Sequence, residues 1–155
     1  AGGSMFEMGS YPLLPIIKLL GTNYRNINLY SRNNENGVDI YTRGIISYKK
    51  AVSSFQLGLG VKTEGNLIIS GTKGYAYVPS PWWKTDYFEL RYEDQNQNKK
   101  YFYKWDEPGL RYEIQEFVSC VINNRKQSSR LKPAESICMA RIMQQFEDRK
   151  NFMEI

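Results

Sequence analysis

The chain has 155 residues, 41% of them hydrophobic and 14% aromatic, which suits one domain with a packed core and excludes a disordered segment. It contains no histidine, so Ser-His-Asp and Cys-His catalysis, His-ligated zinc and the commonest general acid–base are all ruled out, and proton transfer falls to Tyr, Lys, Asp or Glu. The net charge of +5 permits polyanion binding, but no dense Lys/Arg block gathers it, and it reads as a solvated surface.

In chain order, Gly2-Gly3-Ser4 opens with turn-prone residues. Ser10 is placed to cap a helix with Pro12 in its first turn. Leu13, Ile16, Ile17 and Leu20 follow at the spacing of one helical face, and Gly21 stops the helix. The apolar stretch from Tyr11 to Leu20 is interrupted by Pro12, Pro15 and Lys18 and is too short to span a bilayer. Glu7 precedes it and no basic segment does, which argues against a secretory signal. Cys120 and Cys138 sit in helix-like patterns and read as half-buried free thiols of a reducing compartment. Together these features predict a soluble, cytoplasmic protein.

A strand pattern runs from Asn23 to about Asp106. Tyr24, Ile27 and Leu29 begin it, and 33–37 is a turn. Val38 to Lys49 and Ala51 to Leu59 are strands, and 62–66 reads as a second hairpin turn. Leu67-Ile68-Ile69 is a short strand, the turn Gly71-Thr72-Lys73-Gly74 follows, and Tyr75, Tyr77 and Val78 form the next strand. Two aromatic strands, Tyr87 to Tyr92 and Lys100 to Trp105, flank the polar loop 94–98. Leu110, Ile114, Phe117, Val118, Val121 and Ile122 mark one face of a helix that ends at Asn123-Asn124. Pro133 opens the last helix, with Ile137, Ala140, Met143 and Phe146 on one face. The prediction is a single α+β domain over 1–155: an open, mainly antiparallel sheet of about six strands with helices on one face. The other face is left for solvent or for subunit packing.

Three features invite other readings. Gly58-Leu59-Gly60 with Gly65 fails both the spacing and the strand-to-helix context of a dinucleotide loop. Trp82, Trp83, Lys84, Tyr87, Tyr92, Lys99, Lys100, Tyr101, Tyr103 and Lys104 mix bases with aromatics as a nucleic-acid platform does, yet strands are aromatic-rich for packing reasons alone, so no nucleic-acid partner is expected. The acidic residues show no metal-site spacing, and neither a metal nor a membrane partner is expected.

Three segments, in this order and spacing, resemble a known family. They are Gly2-Gly3-Ser4-Met5-Phe6-Glu7-Met8-Gly9-Ser10-Tyr11-Pro12, then Ile69-Ser70-Gly71-Thr72-Lys73-Gly74-Tyr75, then Gly109-Leu110-Arg111-Tyr112-Glu113-Ile114-Gln115-Glu116-Phe117 followed by Ser128 to Ile137. The set is similar to the C-terminal domain of the glucose–fructose oxidoreductase / inositol dehydrogenase / rhizopine catabolism (Gfo/Idh/MocA) family. The resemblance implies an N-terminal Rossmann domain that binds NAD or NADP and carries a Glu-Lys-Pro lysine. It also implies a C-terminal domain whose free sheet face forms a homodimer or homotetramer, and a sugar or sugar-nucleotide substrate. Tyr11 takes the family's His/Tyr position, and Glu7 takes an Asp position with one methylene more. Both are candidate catalytic residues, while Arg111 and Tyr112 at a helix start are candidate substrate-binding residues. A tyrosine titrates near 10 in ordinary surroundings, so a basic role at neutral pH needs a nearby cation, which the family's lysine would supply. This chain has neither the dinucleotide fingerprint nor Glu-Lys-Pro. It is therefore expected to be the excised second half of an NAD(P)-dependent sugar oxidoreductase, inactive alone; the alternative is a freestanding dimerising or ligand-binding module.

Overall fold

The computed structural model describes residues 2–103 and 109–155. Two helical stretches open the chain, α1 (Ser4–Met8) and α2 (Ser10–Leu20). Three strands follow, β1 (Asn26–Asn33), β2 (Asp39–Ser47) and β3 (Val52–Gly58), and then four more, β4 (Leu67–Ser70), β5 (Gly74–Val78), β6 (Tyr87–Tyr92) and β7 (Lys99–Phe102). The chain ends with α3 (Leu110–Ile122), α4 (Pro133–Glu147) and a short strand β8 (Phe152–Glu154). The architecture is α+β, with two open four-stranded sheets in the orders β3-β2-β1-β8 and β4-β5-β6-β7. Every pairing is antiparallel except β1 with β8. The chain packs as two compact units, one from Ala1 to Thr63 and Glu116 to Ile155, the other from Glu64 to Gln115.

In the first unit the strands alternate. Ile27, Leu29 and Ser31 of β1 are buried, as are Thr42, Gly44 and Ile46 of β2 and Phe55 and Leu57 of β3. Neighbouring residues point the other way, the period of two expected of a sheet covered on one side. The cover comes from Met5 of α1, Leu13, Ile16 and Ile17 of α2, and Cys138, Ile142 and Phe146 of α4. Gly44 is required by its strand partner: a Cβ there would stand 2.3 Å from the Phe55 ring.

Several sequence expectations need correction. Ser10 does not cap a helix, because it is the first residue of α2 and the preceding Gly9 is already in the right-handed helical region. On α2, Leu13, Ile16 and Ile17 are buried but Leu20 is exposed at the end of the helix, where Gly21 stops it with its N–H on Ile17 O at 2.9 Å. On α4 the buried line is Cys138, Ile142 and Phe146, while Ile137 is 51% exposed, a rotation of the expected face about the helix axis. None of the thirteen residues of α3 is buried, although its apolar spacing is regular. The segment 62–66 is not a hairpin turn, since β3 and β4 are edge strands of different sheets. The last aromatic strand ends at Phe102, and Trp105 lies outside the described residues.

Candidate functional site

Glu7 and Tyr11 sit on either side of a joint between two helical stretches. Pro12 and Pro15 have no N–H, so the carbonyls of Met8 and Tyr11 get no helical donor from them. The helix is interrupted at Gly9 but not turned aside. Gly9 keeps φ −61° and ψ −32°, its N–H reaches Met5 O at 2.8 Å, and Leu13 N–H reaches Gly9 O at 3.2 Å. Helical backbone from Ser4 to Leu20 therefore places Glu7 and Tyr11 four residues apart on one side, one turn above the other. Both are exposed, Tyr11 by 52%.

The short α1 is held from below by a buried polar cluster that sequence reasoning missed. Asp39, at the start of β2, is 5% exposed, and Ser4, Ser31 and Thr42 are fully buried. Asp39 Oδ2 accepts Met5 N–H at 2.7 Å, the Ser4 hydroxyl at 2.6 Å and the Thr42 hydroxyl at 3.2 Å. The Ser31 hydroxyl lies 3.2 Å from that of Thr42 and reaches Tyr41 O at 3.0 Å. This carboxyl does for α1 what a capping side chain does locally, but it comes from another strand. Gly3 makes the approach possible. It has φ +111°, and a Cβ on it would fall 1.9 Å from Asp39 Oδ1. On the outer side, Phe6 packs edge-on against Phe146 of α4 with ring centroids 6.5 Å apart.

Arg111 and Tyr112 lie in the first turn of α3, in the second unit, whereas Glu7 and Tyr11 belong to the first. Arg111 donates to the Tyr112 hydroxyl at 3.2 Å, and its guanidinium stands 5.0 Å from that ring's centroid. Further along α3, Glu116 gathers the loop before α4. Its Oε1 accepts from Ser128 Oγ at 2.8 Å, Ser129 N–H at 3.1 Å and Arg125 at 3.4 Å. The Ser128 hydroxyl, the Ser129 amide and the Arg125 charge hold the Glu116 carboxyl below the usual carboxylate range. Cys120 and Cys138 are both free thiols, the second buried, and burial pushes it up from its ordinary value.

The Gly58-Leu59-Gly60 segment is not built as a dinucleotide loop. After β3, Leu59 and Gly60 both donate to Ile40 O, at 2.8 and 3.1 Å, and no helix follows to receive a pyrophosphate. No group of three Cys, Asp or Glu residues gathers as a metal site among the described residues. No helix described is long and apolar enough to cross a membrane. The aromatic–basic residues of the second sheet divide between its faces. Register puts Tyr87 and Lys100 on one side, with Lys100 Nζ 3.5 Å from the Tyr87 ring centroid, and Phe88 stacked on Tyr101 at 5.0 Å on the other. They do not form one stacking platform.

No family model matches the chain. Among curated proteins it is 28% identical over 153 residues to trans-1,2-dihydrobenzene-1,2-diol dehydrogenase of Oryctolagus cuniculus, covering 94% of this chain and 46% of that protein. The same enzyme of Bos taurus is 26% identical over 152 residues. Among solved structures it superposes on KijD10, a 3-ketoreductase from Actinomadura kijaniata in complex with NADP and TDP-benzene. The TM-score is 0.81 at 14% identity, over 99% of this chain and 47% of that one. The resemblance to the Gfo/Idh/MocA family stands. UDP-N-acetylglucosamine 3-dehydrogenase GnnA from Acidithiobacillus ferrooxidans has the same fold, with TM-score 0.73 at 10% identity over 90% of this chain and 44% of that one. The chain spans about half the length of the curated relatives it matches.

Proposed function

We propose that this chain is the substrate-binding and assembly domain of an NAD(P)-dependent oxidoreductase acting at a CH–OH group of a sugar or related diol. The observation that carries the reading is the exposed Glu7–Tyr11 turn on a helix anchored to the sheet, in a chain akin to a diol dehydrogenase over 94% of its length. Tyr11 is the acid–base group: its phenol oxygen takes the proton of the substrate hydroxyl in oxidation and returns it in reduction. Its work at neutral pH requires a cation beside it, placed there by a lysine of an N-terminal Rossmann domain. Glu7, one turn away, orients the substrate or tunes the phenol. Arg111 and Tyr112 bind the substrate, the guanidinium suiting an anionic or sugar-nucleotide group.

NAD or NADP is bound mainly by that other domain, and this chain alone is inactive. Residues 1–155 act as a single C-terminal domain of a cytoplasmic protein. Association into a dimer or tetramer uses an open sheet face. The face of the second sheet bearing Leu67, Val78, Phe88 and Tyr101 is suited to it, being apolar and without a fully buried residue of its own.

The test is Tyr11→Phe in the full-length protein, assayed by reduction of NAD and NADP with trans-1,2-dihydrobenzene-1,2-diol and a panel of aldoses. The expected result is a fall in kcat of about 100- to 10,000-fold with the fold intact. An unchanged kcat removes Tyr11 from the chemistry.

A further inference from the structure

We infer that Asp39 is a positioning residue for the Glu7–Tyr11 turn, acting through the backbone of α1 to set where both side chains stand. The inference rests on the roles proposed above for Tyr11 and Glu7.

α1 is the opening of the helical run, where the first backbone N–H groups have no partner inside the helix. The placement of α1 comes from outside. Met5 is buried in the core, Phe6 leans on Phe146, and Asp39 Oδ2 binds the backbone N–H of Met5 together with the Ser4 hydroxyl. Of these contacts those of Asp39 are the hydrogen bonds, and with the Ser4 hydroxyl also 3.0 Å from Thr42 Oγ1 they set the height and the rotation of α1 on β2. Met5 and Ser4 lie two and three residues before Glu7, within the same turn. Helical backbone continues through Gly9 to Tyr11, so a shift at Met5 is passed on to both candidate side chains. The other carboxyl oxygen, Oδ1, faces Gly3 so closely that no side chain fits between them. Asp39 thus meets three consecutive residues at the head of α1, Gly3 at Oδ1 and Ser4 and Met5 at Oδ2. A buried carboxyl with such partners is costly to keep for packing alone, since apolar groups of that size would fill the space.

The experiment is a double-mutant cycle in the full-length protein, using the substrate from the panel above that gives the fastest turnover. Asp39→Asn, which keeps the size and one acceptor, is combined with Tyr11→Phe. The expected result for Asp39→Asn alone is a loss in kcat of about 10- to 100-fold. KM should stay within about twofold, with unchanged circular dichroism. In the Tyr11→Phe background the same change should cost clearly less, only what the displacement of Glu7 contributes, because the phenol being positioned is gone. Wild-type kcat in Asp39→Asn, with Tyr11→Phe slow, overturns the inference and leaves the functional reading standing. Full additivity of the two losses also overturns it, since a merely structural role is indifferent to the Tyr11 hydroxyl. Wild-type kinetics in Tyr11→Phe instead sink the functional reading and the inference with it. Should Asp39→Asn fail to fold, Ser4→Ala, which removes one of the hydrogen bonds to Asp39 Oδ2, enters the cycle with the same expected non-additivity and the same overturning results.

Discussion

The sheet of β3, β2, β1 and β8 and the sheet of β4 to β7 have equal strand numbers and nearly the same antiparallel pairing, yet they treat their side chains differently. In the first, Ile27, Leu29 and Ile46 are essentially inaccessible beneath α1, α2 and α4. In the second, no strand residue is fully buried, Ile68 is 53% exposed and Phe102 77%. Alternation in a strand says which residues share a face. It does not say whether anything lies on that face. The first sheet is completed by helices of its own unit, whereas the second settles its surface with ring stacking and cation–π pairs, Phe88 on Tyr101 and Arg91 4.5 Å from the Tyr77 ring centroid.

The contrast can be broken most directly by cutting a side chain from each sheet. Leu29→Ala should destabilise by about 2–5 kcal/mol in urea unfolding, as a cavity under a covered face does. Leu90→Ala on β6, only partly buried, should cost about 1 kcal/mol. Equal losses would mean that the second sheet is covered as fully as the first in the working protein. Between these in sharpness lies Tyr48, which donates to Gly21 O at 3.1 Å. Burial pushes its phenol up to about 12 from an ordinary value of 10.0. The folded form thus favours the neutral phenol, and this contribution, whole below pH 10, is lost as pH rises through about 12. Tyr48→Phe should cost about 1 kcal/mol at neutral pH and flatten the alkaline fall in unfolding free energy. The smallest effect concerns Glu116. Its carboxyl sits below the ordinary value of 4.5, so its stabilising share is present above that pH and lost on acidification below it. Glu116→Gln should lower the unfolding free energy slightly at neutral pH and leave a shallower acid limb, the two proteins converging as pH falls.

Much of the strand layout is legible in the residues. Asn33 to Gly37 and Gly71 to Gly74 are turn-formers between alternating runs, and both lie between paired strands. The helix limits at Gly21 and Pro133 follow from backbone chemistry alone. What escapes is whatever depends on a distant partner. Ser10 looks like a cap because a local side chain is the usual solution, but the donors of α1 are met by Asp39, thirty-four residues beyond Met5. The spacing on α3 is that of a buried face, yet Phe117 and Ile122 are 70% and 76% exposed, since periodicity describes the helix and not its surroundings. For the candidate site, the pairing of Glu7 with Tyr11 is visible in the four-residue interval. Its foundation in Ser4, Asp39 and Thr42 is not, because nothing local marks Asp39 as different from any acidic residue after a turn.

The two opening glycines look interchangeable as a flexible lead-in, but they are not equivalent. A Cβ on Gly2 meets no atom within 4 Å, whereas one on Gly3 runs into Asp39. Positions 3 and 39 therefore constrain each other. A side chain at 3 would need position 39 shrunk or vacated, and even then the φ of +111° would disfavour it. Position 2, at φ +152°, favours glycine through its backbone alone, whereas position 3 favours it through its backbone and its neighbour together.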